Sequence, residues 1–413
     1  KAKAAQDYFL LIGPPGTGKT SCALKKMVET FHADKDAQIL LLSYTNRAVD
    51  EICKSLASIA PAVDFIRVGS ELSCDEAYRG HLIENELSSC NRRSEVYERI
   101  RNCRIIVGTV AAISGKPELF RLKHFDVAII DEATQILEPQ LLGILCARGE
   151  DGKDAIDKFV LIGDHKQLPA VVQQNTEQSA IYDESLLSIG LTNLKDSLFE
   201  RLYRNCTATV HRSYDMLCRQ GRMHPEVALF ANRAFYGGRL IPVGLPHQIE
   251  SSDTICRLAF YPSVPEKAGA SAKINYSEAR IVADLAARIY EDHQTDFDES
   301  RTLGIITPYR SQIALIKKEI ESLGIPALNR ILVDTVERFQ GSERDVIIYS
   351  FCVNYPYQLK FLSNLTEEEG VLIDRKLNVA LTRARKQMFI TGVPELLERN
   401  PLYKSLLKLI ESF

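Results

Sequence analysis

Eight consecutive residues, Gly13, Pro14, Pro15, Gly16, Thr17, Gly18, Lys19 and Thr20, carry the clearest chemistry in the chain. They follow the apolar run Tyr8-Phe9-Leu10-Leu11-Ile12 and precede a helix-compatible segment, 21–31. A strand, a glycine-rich turn and a helix N-terminus in that order aim several backbone N–H groups and the positive end of a helix dipole at a polyphosphate. Lys19 then reaches the terminal phosphates, and the Thr20 hydroxyl is placed to ligate Mg²⁺. What the bound nucleotide is used for must be read from the rest of the chain.

Two adjacent acids, Asp131 and Glu132, end the apolar run 125–130, at the strand terminus where open α/β sheets bind ligands. Beside a phosphate loop the pair suits nucleotide hydrolysis, with Asp131 holding Mg²⁺ and Glu132 orienting and deprotonating the attacking water. Taken alone, two acids after a strand also suit a helix N-cap. The segment Gly163-Asp164-His165-Lys166-Gln167-Leu168-Pro169 ends another apolar run and places Gln167 beside a γ-phosphate or its water, unless it is only a turn. His165 in that loop reads as solvated rather than as a metal ligand. Farther along, Arg222 in Gln220-Gly221-Arg222-Met223-His224-Pro225 and Arg383 in the run 377–385 offer guanidinium groups. Such a group neutralises charge developing on a transferred phosphoryl, and a surface ion pair is the alternative for each.

The elements that must position these residues alternate. Apolar, β-branched runs at 38–43, 64–68, 104–109, 126–130 and 159–163 are separated by helical segments, the pattern of a buried parallel sheet. A second series follows at 302–307, 332–335, 345–350 and 387–391, with helical stretches at 277–290 and 311–323. Nine or more strands are too many for one ordinary open sheet, so two sheets are expected, with the boundary between 173 and 220. The polar stretch 71–101 reads as a helical insertion, a solvated hairpin. Residues 242–265 read as loop with short edge strands, and 354–376, with its acidic run 367–369, as a surface excursion.

With 413 residues, 45% hydrophobic and 25% charged, the chain has ordinary globular composition and room for two or three domains. No apolar run approaches the roughly 20 residues of a membrane span, so no membrane role is expected. The basic-then-apolar start is too short in its apolar part for a secretion signal. Its abrupt entry into a core strand predicts further domains of the same polypeptide on the N-terminal side. The ten cysteines are scattered without a CxxC pair, as reduced thiols of a cytosolic or nuclear protein would be. A net charge of −3 means that any nucleic-acid contact must use a locally basic groove.

The order of the motifs is more specific than any one of them. The chain resembles the superfamily 1 helicases, most closely the 5′-to-3′ branch that contains the RNA helicase of nonsense-mediated decay and the eukaryotic replication nuclease-helicase. The resemblance rests on GPPGTGKT, LLSYTNRAVDEI (41–52), DEATQ, GDHKQLP, QGRMHPE, TPYRSQ (307–312), DTVERFQGSERD and LNVALTRAR, and spans 8–392. It implies two RecA-like α/β domains in tandem, 1–210 and 211–413, the first with a small helical insertion that helps enclose the strand. It implies ATP and Mg²⁺ as cofactors, with hydrolysis carried by Lys19, Thr20, Asp131, Glu132, Gln167, Arg222 and Arg383, and Glu343 at the ribose. It further implies a monomer on single-stranded DNA or RNA, met at Ser43, Tyr44, Thr45, Thr307, Pro308, Tyr309, Arg310 and Thr335. A nucleotide-gated clamp that does not unwind uses the same motifs. Relatives place an adenine-reading glutamine and a small β-barrel ahead of the first motif, and a tyrosine that stacks on the base where this chain has Gly221.

Overall fold

Strands whose two faces are both covered need no polar alternation, and the strand Ile39–Ser43 shows why the apolar runs are continuous. Its Leu40 and Leu42 join one hydrophobic cluster with Leu10, Ile106, Ala128 and Leu161, while Ile39 and Leu41 join a second with Phe9, Ile105, Val127 and Val160. Successive side chains leave opposite faces of the sheet, so helices on both sides bury every position. The computed structural model describes residues 1–209, 213–251, 255–266, 271–368 and 370–413.

The chain divides into two compact units: Lys1–His165 with Pro169–Leu217, and Cys218–Phe413 with the three residues Lys166–Leu168. In the first, β1 (Tyr8–Ile12), β2 (Ile39–Ser43), β3 (Phe65–Val68), β4 (Ile105–Thr109), β5 (Val127–Ile130), β6 (Phe159–Gly163) and β7 (Tyr214–Met216) form one sheet. Its order is β3-β4-β2-β5-β6-β1-β7, parallel throughout. The edge strand β7 extends the first unit to Leu217, beyond the expected 210. Three residues with an aspartate in the middle leave no apolar run to read. The insertion is helical but broken, with short turns at Glu71–Ser73 and Glu76–His81 and helices at Ile83–Glu86 and Arg93–Asn102. Arg99 holds it to the sheet side, donating from Nη1 to Asp64 at 2.8 Å and from Nη2 to Glu86 at 2.7 Å.

In the second unit β8 (Arg219–Gln220) pairs with β9 (Ile241–Pro242) in a two-residue ladder. The main sheet combines β10 (Leu258–Pro262), β11 (Leu303–Ile306), β12 (Leu332–Asp334), β13 (Arg344–Ser350) and β16 (Ala384–Gly392) in the order β10-β16-β13-β11-β12, again all parallel. Strands β14 (Leu365–Glu368) and β15 (Val371–Asp374) make an antiparallel hairpin in the expected excursion. Glu369 of the acidic run lies outside the described residues. The two parallel sheets in tandem are the architecture that the motif order implied. No described helix is long and apolar enough to cross a membrane, and none of the ten cysteines is in a disulfide.

The helix Tyr276–Asp292 packs Val282, Ala286 and Ile289 onto Leu303, Ile305 and Ile348 of this second sheet. Near its start it also buries a carboxylate, Glu278. Its Oε2 accepts from Ser350 Oγ at 2.6 Å and from the Cys352 N–H at 2.8 Å. Burial outweighs these bonds and pushes the carboxyl from 4.5 up to about 7. Between those values the folded chain keeps a proton that the unfolded chain has lost, so this group's contribution to stability declines as pH rises through the window. Denaturant unfolding at pH 5 and pH 8 should therefore show Glu278→Gln gaining on the wild type by about 2 kcal/mol at the higher pH. An unchanged difference between the two proteins would contradict the assignment.

Candidate functional site

The loop after β1 is shaped by its glycines. Gly16 and Gly18 have φ of 72° and 71°, left-handed values that other side chains rarely adopt. A Cβ at Gly13 would lie 2.1 Å from Lys19 Cγ, because the lysine folds back over this residue. Its Nζ donates to the Gly13 carbonyl at 3.0 Å and lies 3.6 Å from Glu132 Oε1. The loop is fastened at its start and closed on itself. The Gly13 N–H donates to Gly163 O at 2.9 Å, and Thr17 Oγ1 donates to Pro14 O at 2.7 Å.

Strand β5 delivers the acids to this loop. Asp131 is 1% exposed. Its Oδ2 accepts from Thr20 Oγ1 at 2.5 Å and its Oδ1 from the Glu132 N–H at 2.9 Å. Burial first, and then the neighbouring Glu132 charge, push the Asp131 carboxyl up to about 6 against the opposing pull of Thr20 and Lys19. Glu132 itself sits at φ 53°, a strained left-handed position for a residue with a Cβ. That bend places its Oε1 beside Lys19 and lets Oε2 accept from Gln135 Nε2 at 2.9 Å. Only glycine fits at 163, at the end of β6, since a Cβ there would stand 2.8 Å from Thr134 Cγ2.

The second unit assembles the arginines. Arg383 is buried and donates to the carbonyls of Val379 (3.0 Å) and Ser342 (3.3 Å) and to Gln167 Oε1 (3.2 Å). Gln167 belongs to this unit with Lys166 and Leu168, although it follows β6 in sequence. Arg222 donates from Nε to Glu343 Oε2 at 2.5 Å and from Nη1 to the Thr382 carbonyl at 3.2 Å. Burial tends to raise the Glu343 carboxyl, but Arg222, Arg385 and Arg383 together hold it below the usual range. The carboxylate expected at a ribose is thus engaged with arginines.

Two buried amides that sequence reading passed over fix the Arg222 turn. Gln220 Oε1 accepts from the Arg222 and Met223 N–H groups at 3.0 and 2.8 Å. Gln248 Nε2 donates to the carbonyls of Gln220 and Met223 at 3.0 and 2.9 Å. Nothing in the spacing of Gln248 signals this, since the contact joins segments far apart in sequence.

Of the expected strand-contacting residues, Ser43 and Thr307 are fully buried. Ser43 Oγ donates to the Asp131 carbonyl at 3.2 Å, so it braces the acid pair. Neither residue is accessible at the surface of the folded chain. Tyr44 is 45% exposed, and Thr45 is exposed and caps the helix Asn46–Ala57 by accepting from the Ala48 N–H at 3.2 Å. Arg310 is exposed, while Pro308, Tyr309 and Thr335 are half-buried. Each follows the C-terminal end of a parallel strand, β2, β11 or β12.

Comparison with known proteins converges on one family. Two family profiles, each described as an AAA domain, match residues 1–96 with 84–175 and residues 194–395. The chain is 31% identical over 411 residues to the chicken (Gallus gallus) DNA replication ATP-dependent helicase/nuclease DNA2, covering 97% of this chain and 36% of that protein. It belongs to the superfamily 1 helicases. The frog (Xenopus laevis) DNA2 is 30% identical, covering 96% of this chain and 36% of the relative. The yeast (Saccharomyces cerevisiae) DNA polymerase alpha-associated DNA helicase A is 25% identical, with 95% and 63% covered. This helicase chain therefore spans about a third of the length of the DNA2 relatives it matches.

Because the Lys19 stem lies over Gly13, Gly13→Ala must displace it. Titration with a fluorescent ATP analogue should show binding weakened at least about tenfold, a loss of roughly 1.4 kcal/mol. Unaltered affinity would show that the lysine has another route to the loop.

Proposed function

We propose that the chain hydrolyses ATP and uses the cycle to move along single-stranded nucleic acid, in the 5′-to-3′ direction of the branch it resembles. The observation that carries the reading is the 2.5 Å bond from Thr20 to the buried Asp131, with Lys19 beside Glu132. A hydroxyl and a carboxylate brought together in a buried setting, next to a second acid, form an oxygen donor set suited to a hard divalent cation. Thr20 and Asp131 would hold Mg²⁺, which when bound neutralises charge on the β- and γ-phosphates.

The remaining groups then take distinct tasks. Lys19 and the N–H groups of the loop bind the phosphates, Glu132 accepts a proton from the attacking water, and Gln135 keeps the Glu132 carboxylate oriented. Arg383, already fixed by two carbonyls and Gln167, and Arg222, placed by Gln220, stabilise the charge that develops on the γ-phosphoryl. Alternating grip by the two units would convert the hydrolytic cycle into movement. Contacts through phosphates give binding without sequence preference. The names of the matched relatives, which are DNA helicases, favour DNA as the strand.

Glu132→Gln should retain ATP binding and lower turnover by about 100-fold or more, the scale of a lost general base. Arg383→Ala should cost about 1,000-fold. Steady-state phosphate release checks both. Turnover at the wild-type rate in Glu132→Gln would remove the catalytic assignment.

A further inference from the structure

Outside every helicase motif, the residues after β13 carry a cluster of exposed aromatic side chains on an unusually well-fastened backbone. Gln358 is buried, and its Oε1 accepts from the N–H groups of Asn354 and Tyr355, each at 2.9 Å. Its Nε2 donates to the Ala272 carbonyl at 2.7 Å and to the Tyr309 hydroxyl at 3.1 Å. Asn354, also buried, accepts from Asn275 Nδ2 at 2.9 Å and donates to the Ile274 carbonyl at 2.7 Å. Gln312 closes the network, accepting from the Asn275 N–H at 2.8 Å and donating to its carbonyl at 3.0 Å. Three segments, 272–275, 309–312 and 354–358, are thereby fixed to one another. Side-chain amides that exchange both donors and acceptors specify a single arrangement of the surface above them.

That surface is aromatic and basic. The rings of Tyr355 and Tyr357 are stacked, with centroids 5.7 Å apart and planes 13° from parallel. Tyr357 is 55% exposed and Phe361 68% exposed. Lys273, Arg310 and Lys360, on or next to the same segments, are exposed as well. Large aromatic faces left in water on a rigid backbone, interleaved with cations, match the demands of unpaired bases joined by phosphates. A protein partner's apolar face would have no use for the cations.

We infer that Tyr355, Tyr357 and Phe361 form a stacking platform for unpaired bases of single-stranded nucleic acid, with Lys273, Arg310 and Lys360 taking its phosphates. The platform rests on the strand-binding function proposed above and adds to the motif residue Arg310 three aromatic rings and two lysines that none of the motifs contains. The buried amides of Asn354 and Gln358 are positioning residues for it. Gln358 also bonds Tyr309, a residue of the TPYRSQ motif, and ties it to the new cluster.

The test is a fluorescence-anisotropy titration of dT and rU oligonucleotides without nucleotide, with affinities compared at one salt concentration and the salt slope taken from a series of them. Because both side chains are exposed, the double variant Tyr357→Ala/Phe361→Ala leaves the core intact. Its affinity should fall by roughly 10- to 100-fold, the scale of one or two lost stacking contacts. Tyr357→Phe should bind as the wild type does, whereas Tyr357→Leu, which keeps apolar area but not a π-face, should weaken binding. Lys360→Gln should lower the salt slope of binding by about one unit. Wild-type affinity in the double variant, or full binding by Tyr357→Leu, would overturn the platform while leaving the motif-based strand contacts standing. Absence of any binding by the wild type would overturn both.

Discussion

The hydrogen bond from Thr20 to Asp131 is the contact on which the chemistry proposed for the first unit depends. It joins the start of the helix after β1 to the end of β5 and places an anionic oxygen where solvent does not reach. Burying a carboxylate is costly unless its oxygens are bonded, and both oxygens of Asp131 are. The sheet makes this possible. Parallel strands covered on both faces bring the ends of β1, β2, β5 and β6 to one edge, and the backbone and side chains there brace one another. Ser43 from β2 donates to the Asp131 carbonyl, and Gly163 from β6 leaves room for Thr134. Glu132 takes the strained conformation, and the surrounding contacts hold it there.

The second unit solves a different problem, which is how to keep long cationic side chains in one place. Arginine brings up to five donors, and an arginine whose donors meet fixed acceptors loses little further freedom when it engages an anion. Arg383 is fixed by main-chain carbonyls and Gln167, and Arg222 by Glu343 and the Thr382 carbonyl. The two differ in a way that bears on function. Arg222 is paired with a carboxylate that a substrate could compete for, whereas Arg383 is enclosed and only 2% exposed.

Where the sequence carried the fold, it did so through apolar runs long enough to cross a sheet. Strands β1 to β6, β11 to β13 and β16 were legible from apolar runs buried in the sheet, although β3, β13 and β16 also carry charged residues such as Arg67, Asp345 and Lys386. Strand β7 was not, since Tyr214-Asp215-Met216 is short and half polar, and it joins the sheet by pairing with β1. The glycine-rich loop and the acid pair stood out because each is a run of adjacent residues at the end of an apolar run, while the bond that joins them spans Thr20 to Asp131. The roles of Gln248, Asn354 and Gln358 were hidden because each amide reaches a segment distant in sequence, and that of Gln220, which bonds within its own turn, because a glutamine in a polar stretch looks solvated. The segment 354–376 looked like a surface excursion for that reason. Its outer residues are indeed exposed, but its first five contain buried amides that anchor it.

A motor's nucleotide site differs from that of a metabolic nucleotidase in one respect: its turnover answers to the strand. The most direct measurement is the steady-state rate of ATP hydrolysis with single-stranded DNA, with single-stranded RNA and with neither. Stimulation by at least one strand over the unstimulated rate is the expected result. Equal rates in all three conditions would contradict the account.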